Sequence, residues 1–171
     1  KKPLRRFHPG SQILSVGSFG CNLSCPFCQN HEISMHGEQA ADHVEMTPLQ
    51  LADLAEEMQK RGNIGVAYTY NEPLIGHEFV RDCAAIVHAR GMKNVVVTNV
   101  QLEILVALLP DIDAMNIDLK GFTAAHYQRL GGDLHTVQEF IARAARSTHV
   151  EVTTLIVPGE NDTEEEMAAE A

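Results

Sequence analysis

Cys21-Asn22-Leu23-Ser24-Cys25-Pro26-Phe27-Cys28-Gln29-Asn30 is the stretch on which the rest of the chain turns. It holds three of the four cysteines, in C-x3-C-x2-C spacing. Thiolates are the soft ligands that zinc and iron–sulfur clusters prefer, and three this close can wrap one inorganic centre. A structural zinc or an electron-carrying cubane normally takes four protein ligands. Three ligands, at Cys21, Cys25 and Cys28, therefore point to a [4Fe-4S] cluster with one iron left open for a substrate. Two other readings use the same residues: a zinc ion completed by His31 or His36, and three buried structural cysteines.

Outward from this loop, strands and helices alternate. Residues 12–16 read as a short strand that feeds directly into the cysteines. Residues 31–46 are polar and His-rich without clear periodicity, and read as loop. Thr47-Pro48-Leu49-Gln50 opens a helix, with Thr as N-cap, Pro at the first position and Gln closing a capping box. Its apolar residues Leu51, Leu54, Ala55 and Met58 keep helical spacing, and Gly62 ends it. Further strands are expected over 65–69, 94–98, 114–118 and 150–157. Helices are expected over 76–90, 102–109 and 124–130, from a capping box at Thr136-Val137-Gln138-Glu139 to about 146, and from another at Thr163. Five such alternations predict an α/β fold with a parallel sheet.

In such folds the chemistry collects at the carboxyl ends of the strands. The polar segments just after strands are the cysteine loop, Tyr70-Asn71-Glu72-Pro73, Thr98-Asn99, Asp118-Leu119-Lys120 and Pro158-Gly159-Glu160-Asn161-Asp162. All five are expected on one rim. Alternation along a strand places Asp118 and Lys120 on one side of the chain, facing the same cavity. Ordinary turns, or a surface ion pair at a strand end, are the plainer alternatives. Cys83 falls on the apolar face of its helix and reads as structural. The histidines show no ligand spacing.

The 171 residues suffice for one domain with a real core. A net charge of −10 argues against a nucleic-acid surface, and the basic residues among positions 1–6 form too short a patch to reverse that. No apolar run is long enough to span a membrane, and no apolar signal core follows the basic leader. A cytoplasmic, reducing location is the expectation. Because the chain does not begin with Met and ends in a helical pattern, it is expected to continue at both ends.

The cysteine loop after a first strand resembles the signature of the radical S-adenosylmethionine (radical SAM) enzymes. The wording Cys-Pro-Phe-Cys-Gln-Asn and Tyr-Asn-Glu-Pro is similar to that of the pyruvate formate-lyase-activating-enzyme-like group, particularly its AmmeMemoRadiSam branch. The resemblance runs from Leu14 to about Asp162. It implies that residues 1–171 are a radical SAM core domain, a partial (β/α) barrel with about five βα units. It also implies a [4Fe-4S] cluster on Cys21, Cys25 and Cys28, with SAM on the open iron. Phe27 would lie against the adenine. Asn71 and Glu72 stand where the family carries a Gly-Gly-Glu-Pro turn at the SAM amino group, with Tyr70 and Asn71 in place of the glycines.

Thr98 and Asn99 match the stretch after the activases' third strand, where Val97 and Val100 replace an Asp and a Gly. Asp118 and Lys120 match an Asp-Leu-Lys motif whose Lys pairs with the SAM carboxylate. Residues 157–159 match a loop near the adenosine, and Gln29 and Asn30 are candidate donors to sulfides or SAM. No catalytic side chain is implied beyond these cluster and SAM ligands. The implied reaction is reductive cleavage of SAM to methionine and a 5′-deoxyadenosyl radical, which takes hydrogen from a substrate. The activase likeness implies a protein substrate of the glycyl-radical class and an electron donor such as flavodoxin or ferredoxin. Radical chemistry on another protein or small molecule is one alternative. A non-catalytic electron carrier or zinc module, which would need a fourth protein ligand, is another.

Overall fold

The computed structural model describes residues 4–100 and 104–170. Strands β1 (Gln12–Val16), β2 (Asn63–Tyr68), β3 (Lys93–Thr98), β4 (Ala114–Asp118) and β5 (His149–Thr153) form one sheet. Its order is β1-β2-β3-β4-β5, and every neighbouring pair is parallel. Parallel neighbours need crossover connections, which the helices provide. They are α1 (His31–Met35), α2 (Pro48–Met58), α3 (His77–Ala89), α4 (Leu105–Leu108), α5 (Ala124–Leu130), α6 (Leu134–Ala144) and α7 (Glu164–Glu170). Among the described residues β1 and β5 stay unpaired with each other, so the barrel is partial. No helix of the described residues is long and apolar enough to cross a membrane.

Thr47 accepts from the Gln50 N–H while the Gln50 side chain accepts from the Thr47 N–H, the capping box expected there. The main core lies between the sheet and its helices, where Val66, Tyr68, Val96, Met115 and Ile117 meet Leu51, Val80, Val87, Val137 and Phe140. The opposite sheet face is lined by the small residues Ala67, Val95 and Ala114, against which Leu4, Phe7 and Ile13 pack. A Cβ on Gly65 would overlap the Lys93 carbonyl, so only glycine allows β2 and β3 to close there.

The structure departs from the sequence reading at several places. Within 31–46, taken as loop, lie α1 and a 3-10 turn at Glu38–Ala40. Helix α1 buries only Ser34, so it leaves no apolar period to read. The cap of α6 is Asp133, not Thr136: its carboxylate accepts from the Thr136 N–H and hydroxyl, both at 2.7 Å. β5 stops at Thr153 rather than 157, because β4 ends at Asp118, its last partner in the ladder. Thr163 caps α7, but the Glu166 carboxylate accepts from the Phe122 N–H at 2.7 Å instead of closing a box. Of the helix expected over 102–109, α4 accounts for Leu105–Leu108, and 102–103 lie outside the described residues, as do Lys1–Pro3 of the basic leader.

Candidate active site at the carboxyl ends of the strands

All the segments that follow strands β1 to β4 meet around one cleft of about 680 Å³. Cys21, Cys25, Phe27 and Cys28 form one wall, Asn71 and Glu72 a second, and Thr98 and Asn99 a third. Asp118 and Lys120 line the cleft as well, together with Val97, Thr153 and Leu155. Every site residue expected from the sequence is therefore brought to this cleft. The turn at 157–159 is not part of its wall: Asn161 accepts from the Val157 N–H, and Asp162 from the Gly159 N–H.

Glu72 is the hub of the site. It is 1% exposed, yet its carboxylate accepts from the Leu74 N–H (3.0 Å), the Thr98 hydroxyl (2.7 Å) and the Asn99 N–H (2.7 Å). Burial pushes its pKa up to about 7, and the Asp118 charge adds to this, while those three donors work the other way. Asn71 has its amide fully employed: it accepts from the Ser18 N–H and donates to the Ser18 hydroxyl and the Gly20 and Glu72 carbonyls. It lines the cleft, but its amide is used to moor the segment before the cysteines. Asn30, expected as a donor to cluster or cofactor, donates to the Tyr70 carbonyl at 2.7 Å.

Tyr70 and Val100, at positions where the resemblance implies glycines, have a glycine-like backbone, at φ 77° and 95°. Such a conformation is costly for a side chain with a Cβ, most of all a β-branched one. The turn containing Val100 is fastened from several sides. Its N–H donates to the Thr98 hydroxyl at 2.9 Å, and its carbonyl accepts from Asn22 at 3.0 Å.

Lys120 Nζ lies 2.8 Å from the Asp118 carboxylate. Burial alone would lower the lysine pKa, but Asp118 and the Cys25 and Cys21 thiols outweigh it and raise the value. Its backbone is clamped as well, the N–H donating to the Tyr127 hydroxyl and the carbonyl accepting from Asn161. Across the cleft, burial pushes the Cys25 thiol up, with Lys120 opposing and Cys21, Cys28 and Asp118 adding. A cation thus faces the centre of the cysteine loop.

The donor set suits a cluster. Cys21 Sγ accepts from the Asn99 amide at 3.3 Å and the Leu23 N–H at 3.5 Å, and Cys28 Sγ lies 3.8 Å from the Ser34 hydroxyl. The two donors to Cys21 stabilise thiolate charge. Among the described residues no three His, Cys, Asp or Glu side chains converge tightly enough for a single metal ion. A cubane differs from zinc here, since it spreads its thiolates over separate irons. His31 and His36, the candidate fourth zinc ligands, pack edge-to-face on each other with centroids 4.9 Å apart. Asn99 Oδ1 is buried and without a partner, an acceptor waiting for a donor at the cleft. The Asn99–Cys21 contact spans 78 positions, and nothing in local sequence announces it. Cys83 is buried in the core, as expected.

The family model of the radical SAM superfamily matches residues 15–171. An uncharacterized protein of Methanocaldococcus jannaschii, MJ0808, is 39% identical over 165 residues, which make up 95% of this chain and 48% of that protein. The chain thus spans about half the length of this curated relative. Among solved structures, a domain of pyruvate-formate lyase-activating enzyme from Bacteroides vulgatus aligns with a TM-score of 0.54 at 22% identity, over 61% of this chain and 69% of that one. Methylornithine synthase (PylB) aligns with a TM-score of 0.58 at 13% identity, over 96% of this chain and 50% of that one. At these identities the structural likeness speaks to the fold.

Proposed function

The chain belongs to the radical SAM superfamily, whose cofactors are a [4Fe-4S] cluster and S-adenosylmethionine, and from that premise we propose that it activates a protein of the glycyl-radical class. The observation that carries the SAM-cleaving part of this reading is the cleft lined both by the three cysteines of one loop and by the Asp118–Lys120 pair. When bound, the cofactors supply reductive cleavage of SAM to methionine and a hydrogen-abstracting 5′-deoxyadenosyl radical. The protein's part is to bind, orient and exclude water.

Cys21, Cys25 and Cys28 would hold the cluster. Lys120, kept cationic by Asp118, would pair with the SAM carboxylate, and the unpartnered Asn99 Oδ1 would accept from its ammonium. Glu72 fixes both turns that flank this contact. Phe27 offers a ring to the adenine. A flavodoxin- or ferredoxin-type donor would deliver the electron, and the cytoplasm is the fitting location.

The preference for a protein substrate rests on the wall beside Asp118, which is made of Val97, Thr153 and Leu155. Among the described residues it offers no further charge to grip a small ionic substrate. Leu155 and Ile156 are also 46% and 49% exposed at the open edge of the barrel, suited to an apolar polypeptide surface. The test is anaerobic: incubate the reconstituted, reduced protein with SAM and a glycyl-radical-class protein, and record the radical by electron paramagnetic resonance. A glycyl radical formed in step with 5′-deoxyadenosine supports the reading. Nucleoside without a glycyl radical on any such protein moves the substrate elsewhere.

A further inference from the structure

We infer that Asn99 is a positioning residue that tunes the reduction potential of the cluster through Cys21. The inference rests on the cluster assignment made above and goes beyond it. Three observations carry it. First, the Asn99 side-chain amide donates to Cys21 Sγ at 3.3 Å, and the Leu23 N–H is the second donor, at 3.5 Å. The other two cysteines are served differently: the Cys28 thiol itself donates to the Ser34 hydroxyl at 3.8 Å, and no donor to Cys25 Sγ is present among the described hydrogen bonds. One corner of the cluster is therefore singled out.

Second, the amide is not free to drift. Its own backbone N–H is held by the Glu72 carboxylate at 2.7 Å, Thr98 before it by the same carboxylate, and Val100 after it by the Thr98 hydroxyl. The two partners are also tied a second time, because Asn22, next to Cys21, donates to the Val100 carbonyl at 3.0 Å. Third, Val100 sits at φ 95°, a strained backbone for a β-branched residue. Strain of this kind persists where the surroundings over-determine it. Here the surroundings are the contacts that aim Asn99 at the thiolate.

The physics gives the direction. An N–H donor draws electron density from the thiolate and stabilises the more negative, reduced cluster, which raises its potential. The Leu23 N–H is a backbone group that side-chain substitution leaves in place, so Asn99 is the part of this pair that sequence can adjust.

The experiment is a dye-mediated redox titration of the anaerobically reconstituted protein, followed by the electron paramagnetic resonance of the reduced cluster. Native protein is compared with Asn99→Ala and Asn99→Asp. Alanine removes the donor, and aspartate keeps the shape but cannot donate and adds negative charge. The backbone N–H that Glu72 holds survives in both. The expected result is a midpoint that becomes more negative in the order native, Asn99→Ala, Asn99→Asp, with iron and sulfide content unchanged.

Equal midpoints in clusters of equal content would overturn the inference while leaving the cluster reading intact. Loss of the cluster in both variants, with retention in a Cys83→Ala control, would also overturn it, by assigning Asn99 to assembly. Absence of any cluster from the native protein would sink the reading beneath it, and the two failures are thus told apart.

Discussion

Replacing Glu72 by Gln should change how stability depends on pH, and by an amount the structure sets. The carboxyl is fully buried, and its pKa is pushed from the ordinary 4.5 to about 7. A raised folded-state value means that the folded protein holds the proton more tightly than the unfolded chain does. The stability from this group is therefore complete below the unfolded value and is lost as pH rises through about 7. At ~1.4 kcal/mol per unit, the displacement is worth about 3 kcal/mol, of which roughly 2.5 falls between about pH 5 and about pH 8.

Glutamine does not titrate, so this slope belongs to the native protein alone. The variant also pays a pH-independent penalty, because its amide cannot accept from all three of the Leu74, Thr98 and Asn99 donors. One buried donor left unpaired costs about 1–3 kcal/mol. Whatever its size at the acid end, the advantage of the native protein should thus shrink by about 2.5 kcal/mol toward the alkaline end. In thermal unfolding of the cluster-free, reduced protein, that is a narrowing of about 5–10 °C for a chain of this size. A gap that stays constant across the range would refute the reasoning, since it would mean that Glu72 titrates alike in both states.

Two further substitutions probe the fold and the cofactor site. Gly65→Ala places a Cβ on the Lys93 carbonyl, a backbone atom that cannot step aside. It should cost about 3 kcal/mol or more, and near-native denaturant midpoints would show that β2 and β3 part easily. Lys120→Met removes the cation held by Asp118. It should weaken SAM binding by about 10- to 100-fold, the worth of a hydrogen bond to a charged group, as read by anaerobic equilibrium dialysis. An unchanged dissociation constant would take Lys120 out of the cofactor site.

The fold could be read from the sequence because its signals are local. Thr47-Pro48-Leu49-Gln50 makes its capping box within four residues, and the apolar run of β3 announces a strand covered on both faces. The places that misled are those where tertiary partners decide. Asp133 outbids Thr136 as a cap, the Glu166 carboxylate crosses to Phe122 instead of closing a box, and β5 ends where β4 stops offering a partner.

The site divides in the same way. The cysteine spacing and the alternation of Asp118 and Lys120 are written along the chain, and their convergence follows from the parallel topology. Side chains at Tyr70 and Val100, where the resemblance implies glycines, hid the fact that both have a positive φ, because sequence shows the residue type and not its backbone angle. Likewise, the Glu72 hub joins residues 26 and 27 positions away, and only the folded chain reveals that Asn71 is spent on the loop before the cysteines.

The measurement that tests the central claim most directly is anaerobic turnover of SAM. The protein is reconstituted with iron and sulfide, reduced with dithionite, supplied with SAM and assayed for 5′-deoxyadenosine. The account predicts nucleoside from the native protein and none from a Cys25→Ala variant. No nucleoside from a native protein whose cluster is intact would contradict it, and would recast the cysteine loop as an electron carrier.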